Sequence, residues 1–461
     1  MKKIAIRFFH LISYLVFRLG EGLVRLLPIE VAFVMGRIGG EIAFRLLGRR
    51  RDLALTNLRL AFVHDKSEAD LQKLNREHFQ LLGANLLAGI KASTMPHEKI
   101  WKRVTANIPQ ERAQSGWIAL ISHTGNWELY SHLGQKYPEY RFGSVYQPLK
   151  NPFIDRHVRA ARTNSGITLF DRRTQLLSCV RFLREGGVVG VLSDQGAGYA
   201  GVWMPLFGRL TSCSTLAARL ALRAGLPLVP IAIATTGLAR WELKFSELIF
   251  PGDHDPEFLT AQMNRVLEEQ IRSSPADWLW AHNRWKPLRP HILFARDQRS
   301  VFLPRDFDLS RLDPFRVLIV SPHLPEDVVA AFPAVHAIKE GRPDNHVAVL
   351  TKAALRERWK ENTAVDEIIS WQSGESSLAL GSRIRQTARF DVAIFLEADS
   401  KLSIAVFRAG IPLRIGLSRG LNTWLCQQHP AEPEPSLDAA RRNLHIARSL
   451  GANVNEPLAR V

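Results

Sequence analysis

Cysteine is scarce in this chain: Cys179, Cys213 and Cys426 are the only three in 461 residues, and they are far apart. That excludes a disulfide framework and a cysteine-ligated zinc site, and it fits a reducing compartment. Long hydrophobic runs are missing too. The most apolar stretch, residues 4–27, is broken by Arg7 and Arg18, which leaves too little between them to span a bilayer. Acidic residues are outnumbered, 44 against 61 Lys and Arg, for a formal charge of +17. There is no Gly-x-Ser-x-Gly elbow, which disfavours a serine hydrolase. No zinc-finger spacing, aromatic-interleaved RNA motif or helix-turn-helix supports nucleic acid as the anionic partner. An acidic membrane surface, a phosphorylated lipid or an acidic protein remains.

What is present is folded material. A hydrophobic content of 46% with 23% charged residues suits globular domains, and the length suits two or three of them. Residues 1–64 form a basic, apolar amino-terminal segment, with ten Lys or Arg against three Glu up to Arg51. Lys3, Arg7, His10, Tyr14, Arg18, Glu21 and Arg25 recur at helical steps, and Ile4, Phe8, Ile12, Leu15 and Leu19 occupy the other face. Lys2 and Lys3 before an apolar run mimic a signal peptide, but no small-residue cleavage site follows. The segment reads either as an uncleaved amphipathic anchor lying in a membrane interface or as a core helix docked on the following domain. Pro28 restarts a helix, and Gly36, Gly39 and Gly40 permit close packing.

Residues 65–295 alternate strands and helices. Strands are expected at 117–122, 141–146, 187–193 and 227–235, with helices at 127–135, 153–165 and 214–224, which argues an α/β domain with a mixed or parallel sheet. In such sheets sites gather at the carboxyl ends of strands, where His123 and Asp194 both fall. His123-Thr-Gly-Asn-Trp-Glu128 leaves a strand for a helix. Residues five apart on one helix diverge by about 140°, so His123 and Glu128 cooperate only if the histidine sits in the turn before the helix. Gly125 permits that turn and Asn126 can cap the helix. An imidazole beside a carboxylate and free backbone N–H groups is what hydroxyl activation requires. The plainer alternative is a turn histidine satisfied by Glu128. Lys150, Arg159 and Arg162 could hold phosphate or could be a solvated basic face. Asp194-Gln-Gly-Ala-Gly198 is a glycine-rich turn whose aspartate orients a positive group or caps the turn. Trp278-Leu-Trp-Ala-His-Asn-Arg-Trp-Lys286 suits either a membrane interface or a tryptophan-rich core edge.

These blocks together resemble the lauroyl/myristoyl acyltransferases of lipid A biosynthesis, which are lysophospholipid acyltransferase-like. The resemblance covers roughly residues 1–290. It rests on the His-x4-Glu motif of His123 and Glu128, Tyr146-Gln-Pro-Leu-Lys-Asn-Pro152, Asp194-Gln195, Met204-Pro-Leu-Phe-Gly208 with Thr211, the 278–286 block, and Asn57-Leu58 with Ala61-Phe62. It implies acyl transfer from acyl carrier protein to a hydroxyl of a lipid A precursor at the cytoplasmic face of a bacterial inner membrane. His123 would be the base and Glu128 its orienting carboxylate. Gly125, Asn126, Lys150, Arg159, Arg162, Asp194 and Arg284 would bind substrate, with no cofactor or metal. Two departures stand out: Gln147 replaces the family's usual arginine, and Asp194-Gln-Gly-Ala-Gly replaces Asp-Gln-Asp-Pro-Gly.

Residues 296–314 read as a polar linker, and 315–461 as a second, Rossmann-like α/β unit. That unit resembles the amino-terminal half of family 9 glycosyltransferases, the heptosyltransferases, through Arg316-Val-Leu-Ile-Val, Asp327-Val-Val with Pro333, Asn362 with Val365-Asp-Glu-Ile, Phe390-Asp391 and Ala409-Gly-Ile-Pro-Leu-Arg-Ile-Gly416. Asp327 matches that family's candidate base, although Glu326 stands where its glycine would be. The donor-binding half is not among these residues. The expectation is therefore sugar binding, partner recruitment or simple structural retention rather than glycosyl transfer. A glycosyltransferase served by a separate donor half and a lipid-binding scaffold without catalysis are the alternatives.

Overall fold

A computed structural model describes residues 2–106 and 116–454, with side chains from residue 5 onward. Lys3 and Ile4 of the amino-terminal pattern and the last residues of the expected second domain therefore lie outside the described side chains or residues. The chain divides into two units. One comprises Met1–Phe207, Thr211–Lys286 and Phe302–Phe307; the other comprises Gly208–Leu210, Pro287–Val301 and Asp308–Val461.

The first unit begins with four helices: α1 (Lys2–Leu26), α2 (Ile29–Leu46), α3 (Gly48–Ala61) and α4 (Glu68–Ala92). They belong to the same compact unit as the sheet. Helices α2 and α4 cross through glycines. A Cβ on Gly36 would collide with the Gly83 carbonyl, and one on Gly40 with the Phe79 carbonyl. Gly39, expected to share this role, faces open space.

Helix α1 turns its stripes the opposite way from a core helix. Glu21 is buried, pairing with Arg25 at 2.6 Å and with His157 Nε2 at 2.9 Å. Tyr14 stacks near Phe153, and Asn151 donates to the His10 carbonyl. The polar side thus packs on the helix Pro152–Asn164. Phe8, Ile12, Leu15 and Leu19 are exposed, at 44–68% of their full area. Val31, Val34, Met35, Ile38, Ile42 and Leu46 of α2 are exposed as well, at helical spacing. Among the described residues no helix is long and apolar enough to cross a membrane.

The sheet of this unit uses β1 (Val104–Ala106), β2 (Trp117–Ile121), β3 (Phe142–Tyr146), β4 (Thr168–Asp171), β5 (Val188–Leu192), β8 (Leu228–Gly237) and β9 (Arg240–Phe245), in the order β1-β9-β8-β2-β5-β3-β4. A separate two-stranded ribbon is made by β6 (Val202–Leu206) and β7 (Arg209–Cys213). Among the described residues the β8–β9 pairing is antiparallel and the other pairings of this sheet are parallel, so the sheet is mixed. Strand β2 lies between β5 and β8 and all five of its residues are buried, which matches its uninterrupted apolar run. Its register sets Ile121 opposite Leu192. The chain leaves both strands at one level, and two residues later come His123 and Asp194. After β2, the expected α-helix is instead a 3₁₀ helix, Trp127–His132, followed by one α-turn, Leu133–Lys136.

In the second unit, β10 (Phe315–Val320), β11 (Asn345–Lys352), β12 (Glu367–Trp371), β13 (Val392–Phe395) and β14 (Leu413–Ile415) form a parallel sheet ordered β12-β11-β10-β13-β14. The first strand is central and the order reverses beside it, as expected of a doubly wound unit. Asp327 lies in the first turn of the helix Pro325–Glu340, half-buried after β10. The segment expected as a linker is instead held by backbone hydrogen bonds within one unit or the other. Arg296 donates to Gly451 O and Asp313 to Gly208 O in the second unit, whereas Phe302 donates to Trp203 O in the first.

The helix crossing gives a stability test. Gly36→Ala and Gly40→Ala force backbone apart and should each cost roughly 1–3 kcal/mol in denaturant unfolding. Gly39→Ala, in open space within a helix, should leave stability unchanged or raise it by about 0.5–1 kcal/mol. Equal behaviour of the three would refute the close crossing.

Candidate active site

The turn after β2 is fixed on every side. Gly125 adopts a φ of 52°, and a Cβ there would also press on the Ile233 carbonyl, so two constraints select glycine. Its N–H donates to Asp277 O at 3.0 Å. Thr124 N–H donates to Ser122 O, and the His123 carbonyl accepts from Leu279 N–H. His123 remains partly open, with 16% of its side chain exposed.

The carboxylate that orients His123 is Asp194, not Glu128. Asp194 Oδ1 accepts from His123 Nδ1 at 2.8 Å, and Oδ2 accepts from the His123 backbone N–H and from Trp278 Nε1, both at 2.9 Å. Three donors on a side chain only 2% exposed account for its remaining ionised. Burial works against its charge most strongly, but the charge of His123 and the hydrogen bonds from His123 and Trp278 outweigh it, and the pKa falls below the ordinary value. For His123 burial again opposes the charged form. The charge and hydrogen bond of Asp194, helped by the charge of Glu128 and opposed by Arg162, override it, so the imidazole pKa rises above 6.5. With Nδ1–H held by Asp194, the neutral ring presents the lone pair of Nε2.

Glu128 makes its ion pair with Arg162, at 2.9 and 3.3 Å. Arg159 and Arg162 both lie over the ring of Tyr146, whose hydroxyl donates to Asp155. Lys150 is exposed on the loop before that helix. Gln147 accepts from Arg172 at 2.7 Å, so a guanidinium stands beside the residue that departs from the family pattern. Arg284, expected to bind substrate, is 2% exposed and donates to Thr211 Oγ1, Ser212 O and Cys213 Sγ, a structural role. Asn126 makes no side-chain cap and its side chain is buried against Gly89 of α4. The 278–286 block proves to be core edge: Trp278 and Trp280 are buried, and Asn57 donates to the carbonyls of Trp280 and His282.

Glu128 and Arg162 line the mouth of a narrow, mostly apolar cavity of about 70 Å³. Ala119, Ile121, Leu133, Phe142, Ile167 and Val188 supply its walls. Among the described residues no group of three or more His, Cys, Asp or Glu is placed to hold a metal ion. Sequence reasoning missed the Trp278–Asp194 bond and the place of Gln195, whose Nε2 lies 3.4 Å from His123 Nε2. Asp194 had a signal in its place after an apolar strand, but its partner did not.

A buried carboxylate backs a histidine at the carboxyl ends of adjacent parallel strands of an α/β unit, beside an apolar cavity, an arrangement chemically able to accept a proton at Nε2. The chain matches the bacterial lipid A biosynthesis acyltransferases over residues 1–287, and it belongs to that family. It is similar to the lipid A biosynthesis lauroyltransferase of Escherichia coli (strain K12), 29% identical over 280 residues, covering 59% of this chain and 90% of that one. The palmitoleoyltransferase of the same strain is 26% identical over 271 residues, covering 56% and 86%. Among solved structures, a family 9 glycosyl transferase from Veillonella parvula aligns with 20% identity and a TM-score of 0.28, over 31% of this chain and 43% of that one. E. coli ADP-heptose lps heptosyltransferase II aligns with 22% identity and a TM-score of 0.25, over 29% and 40%. This chain spans about two fifths of those two.

The electrostatics of the site are measurable without turnover. Asp194→Asn removes the charge that raises the His123 pKa, so NMR titration of that imidazole should move to lower pH. Glu128→Gln should move it the same way by less. A larger shift in Glu128→Gln would restore Glu128 as the principal partner.

Proposed function

We propose that the first unit transfers a fatty acyl chain from an acyl carrier protein thioester to a hydroxyl of a lipid A precursor or related glycolipid, with His123 as general base. The observation that carries this reading is the Asp194–His123 hydrogen bond, which leaves Nε2 as the proton acceptor. The acceptor hydroxyl loses its proton to Nε2 as its oxygen attacks the thioester carbonyl. Asp194 stabilises the imidazolium that forms. Glu128, held by Arg162, acts through its charge and lies at the cavity that would take the acyl chain. Lys150, Arg159 and Arg162 offer cations for a phosphorylated acceptor, and the net charge of +17 suits an acidic carrier protein. In this scheme every proton transfer is made by a side chain of the protein itself, with no cofactor.

The outward apolar faces of α1 and α2 support an interfacial seat on an anionic membrane, at the cytoplasmic face of the inner membrane. The polar stripe that would otherwise face water is occupied by the helix Pro152–Asn164.

Incubation of the purified chain with acyl carrier protein thioester and lipid A precursor, followed by product mass, tests the reaction. His123→Ala should lower kcat by about 10²–10⁴; equal acylation by both proteins would sink the assigned base. Because the base must be neutral and its pKa is raised, kcat/KM should climb with pH through a midpoint above 6.5. Asp194→Asn should move that midpoint to lower pH while reducing the maximum. For the membrane seat, Phe8→Asp with Leu15→Asp should release the protein from anionic vesicles in flotation assays, and unchanged flotation would remove α1 as the anchor.

A further inference from the structure

The attacked thioester carbonyl gains a full negative charge, and something must donate to it. Backbone N–H groups near Gly125 are the expected donors, and the first three of the turn are engaged. His123 N–H is held by Asp194, Thr124 N–H by Ser122 O, and Gly125 N–H by Asp277 O. The Asn126 carboxamide is buried, with Oδ1 against Gly89 of α4 and Nδ2 without a hydrogen-bond partner, so it is held away from the open side of His123. Gln195 is different. It follows Asp194, whose three hydrogen bonds fix the chain at that point, yet its own side chain is exposed. Its Nε2 lies 3.4 Å from His123 Nε2. Since Asp194 holds the proton on Nδ1, Nε2 of the neutral ring carries a lone pair, and the carboxamide N–H donates to it.

We propose that Gln195 is a catalytic donor that caps the proton-accepting nitrogen of His123 in the resting site and turns to the thioester oxyanion once the acceptor hydroxyl has taken its place. This rests on the acyl-transfer reading. The hydroxyl needs the position at Nε2 that the amide occupies, so binding displaces the amide by a side-chain rotation. As the hydroxyl oxygen bonds to the carbonyl carbon, its proton passes to Nε2 and the carbonyl π pair moves onto oxygen. That oxygen lies one bond from the carbon under attack, within the sweep of the displaced carboxamide, which donates an N–H to it. Collapse restores the carbonyl, breaks the C–S bond and releases a thiolate that takes the proton from Nε2. Ester and thiol leave, neutral His123 is regenerated, and Gln195 returns. A neutral amide suits both positions. A cation at the same point would oppose the imidazolium, whereas a carboxylate would repel the oxyanion.

The test compares the full chain with Gln195→Ala and Gln195→Glu, using acyl carrier protein thioester and the glycolipid acceptor, with His123 titrated by NMR in the same proteins. Gln195→Ala should lower kcat by about 10²–10³ with KM within about threefold, as removal of one oxyanion donor does. Gln195→Glu should be at least as impaired, and its carboxylate should raise the His123 pKa by roughly one unit, moving the activity limb to higher pH. Gln195→Ala with kcat within about threefold of wild type overturns the oxyanion role. An unmoved His123 titration in Gln195→Glu overturns the contact itself. Should the wild-type chain fail to turn over the thioester while Gln195→Glu still shifts the titration, the acyl-transfer reading fails and the oxyanion role falls with it. Unchanged thermal melting in both variants shows that folding is not the cause.

Discussion

Asp194 is an ionised carboxylate almost wholly removed from water, and such a group is tolerated only when donors surround it. Much of the architecture supplies them. The β2–β5 register puts the His123 backbone N–H and ring on one side of it. Trp278 comes from more than eighty residues further along the chain to donate from another. Trp278 is itself placed by Leu279 N–H on the His123 carbonyl and by Asn57 on the carbonyls that follow. Arg284 then ties the same segment to β7 through Thr211, Ser212 and Cys213. Motifs scattered over the sequence are thus successive supports of one ion pair, and losing any of them loosens a carboxylate that cannot recover its hydration cheaply.

The amino-terminal helices depend on a different constraint. An isolated protein in water gains by turning large side chains inward, at roughly 1.5–3 kcal/mol for each one fully buried. In α1 the inward position is taken by Glu21 with Arg25 and His157, and Phe8, Leu15 and Leu19 are left outside. That arrangement is held by the ion pair within α1 and by the His157 contact from Pro152–Asn164. It also means that the helix carrying Arg159 and Arg162 is clasped between the outward-facing α1 and the sheet. The helix has no fully buried residue of its own. Its placement therefore derives from its neighbours.

Much of this was legible in sequence. Uninterrupted apolar runs marked β2, β5 and β8, and the alternation of strands and helices gave both α/β units, because buried strands have a strong local signature. His123 was legible as a turn residue at a strand end. Its partner was not. Glu128 is near in sequence and Asp194 is seventy-one residues away, and only the strand register decides between them. Arg284 was misread for a related reason: cations are usually exposed, and a buried one is recognised only from the carbonyls and hydroxyl it meets. The stretch at 296–314 has a linker's composition, but its backbone hydrogen bonds are set by tertiary contacts that composition does not encode.

Glu128 keeps a place in the electrostatics although it does not touch the imidazole. Its charge favours the imidazolium while that of Arg162, paired to it, disfavours it, and the charge of Asp194 outweighs both. Asp194 touches the ring directly, and for that reason it sets the basicity of the site. At Gln147 a neutral carboxamide holds the Arg172 guanidinium by a hydrogen bond. A carboxylate in place of Gln147 would bind Arg172 more tightly and leave it less able to exchange partners. The two cations are therefore held differently, Arg162 by a carboxylate and Arg172 by a neutral carboxamide, while the base beside them is fixed by Asp194.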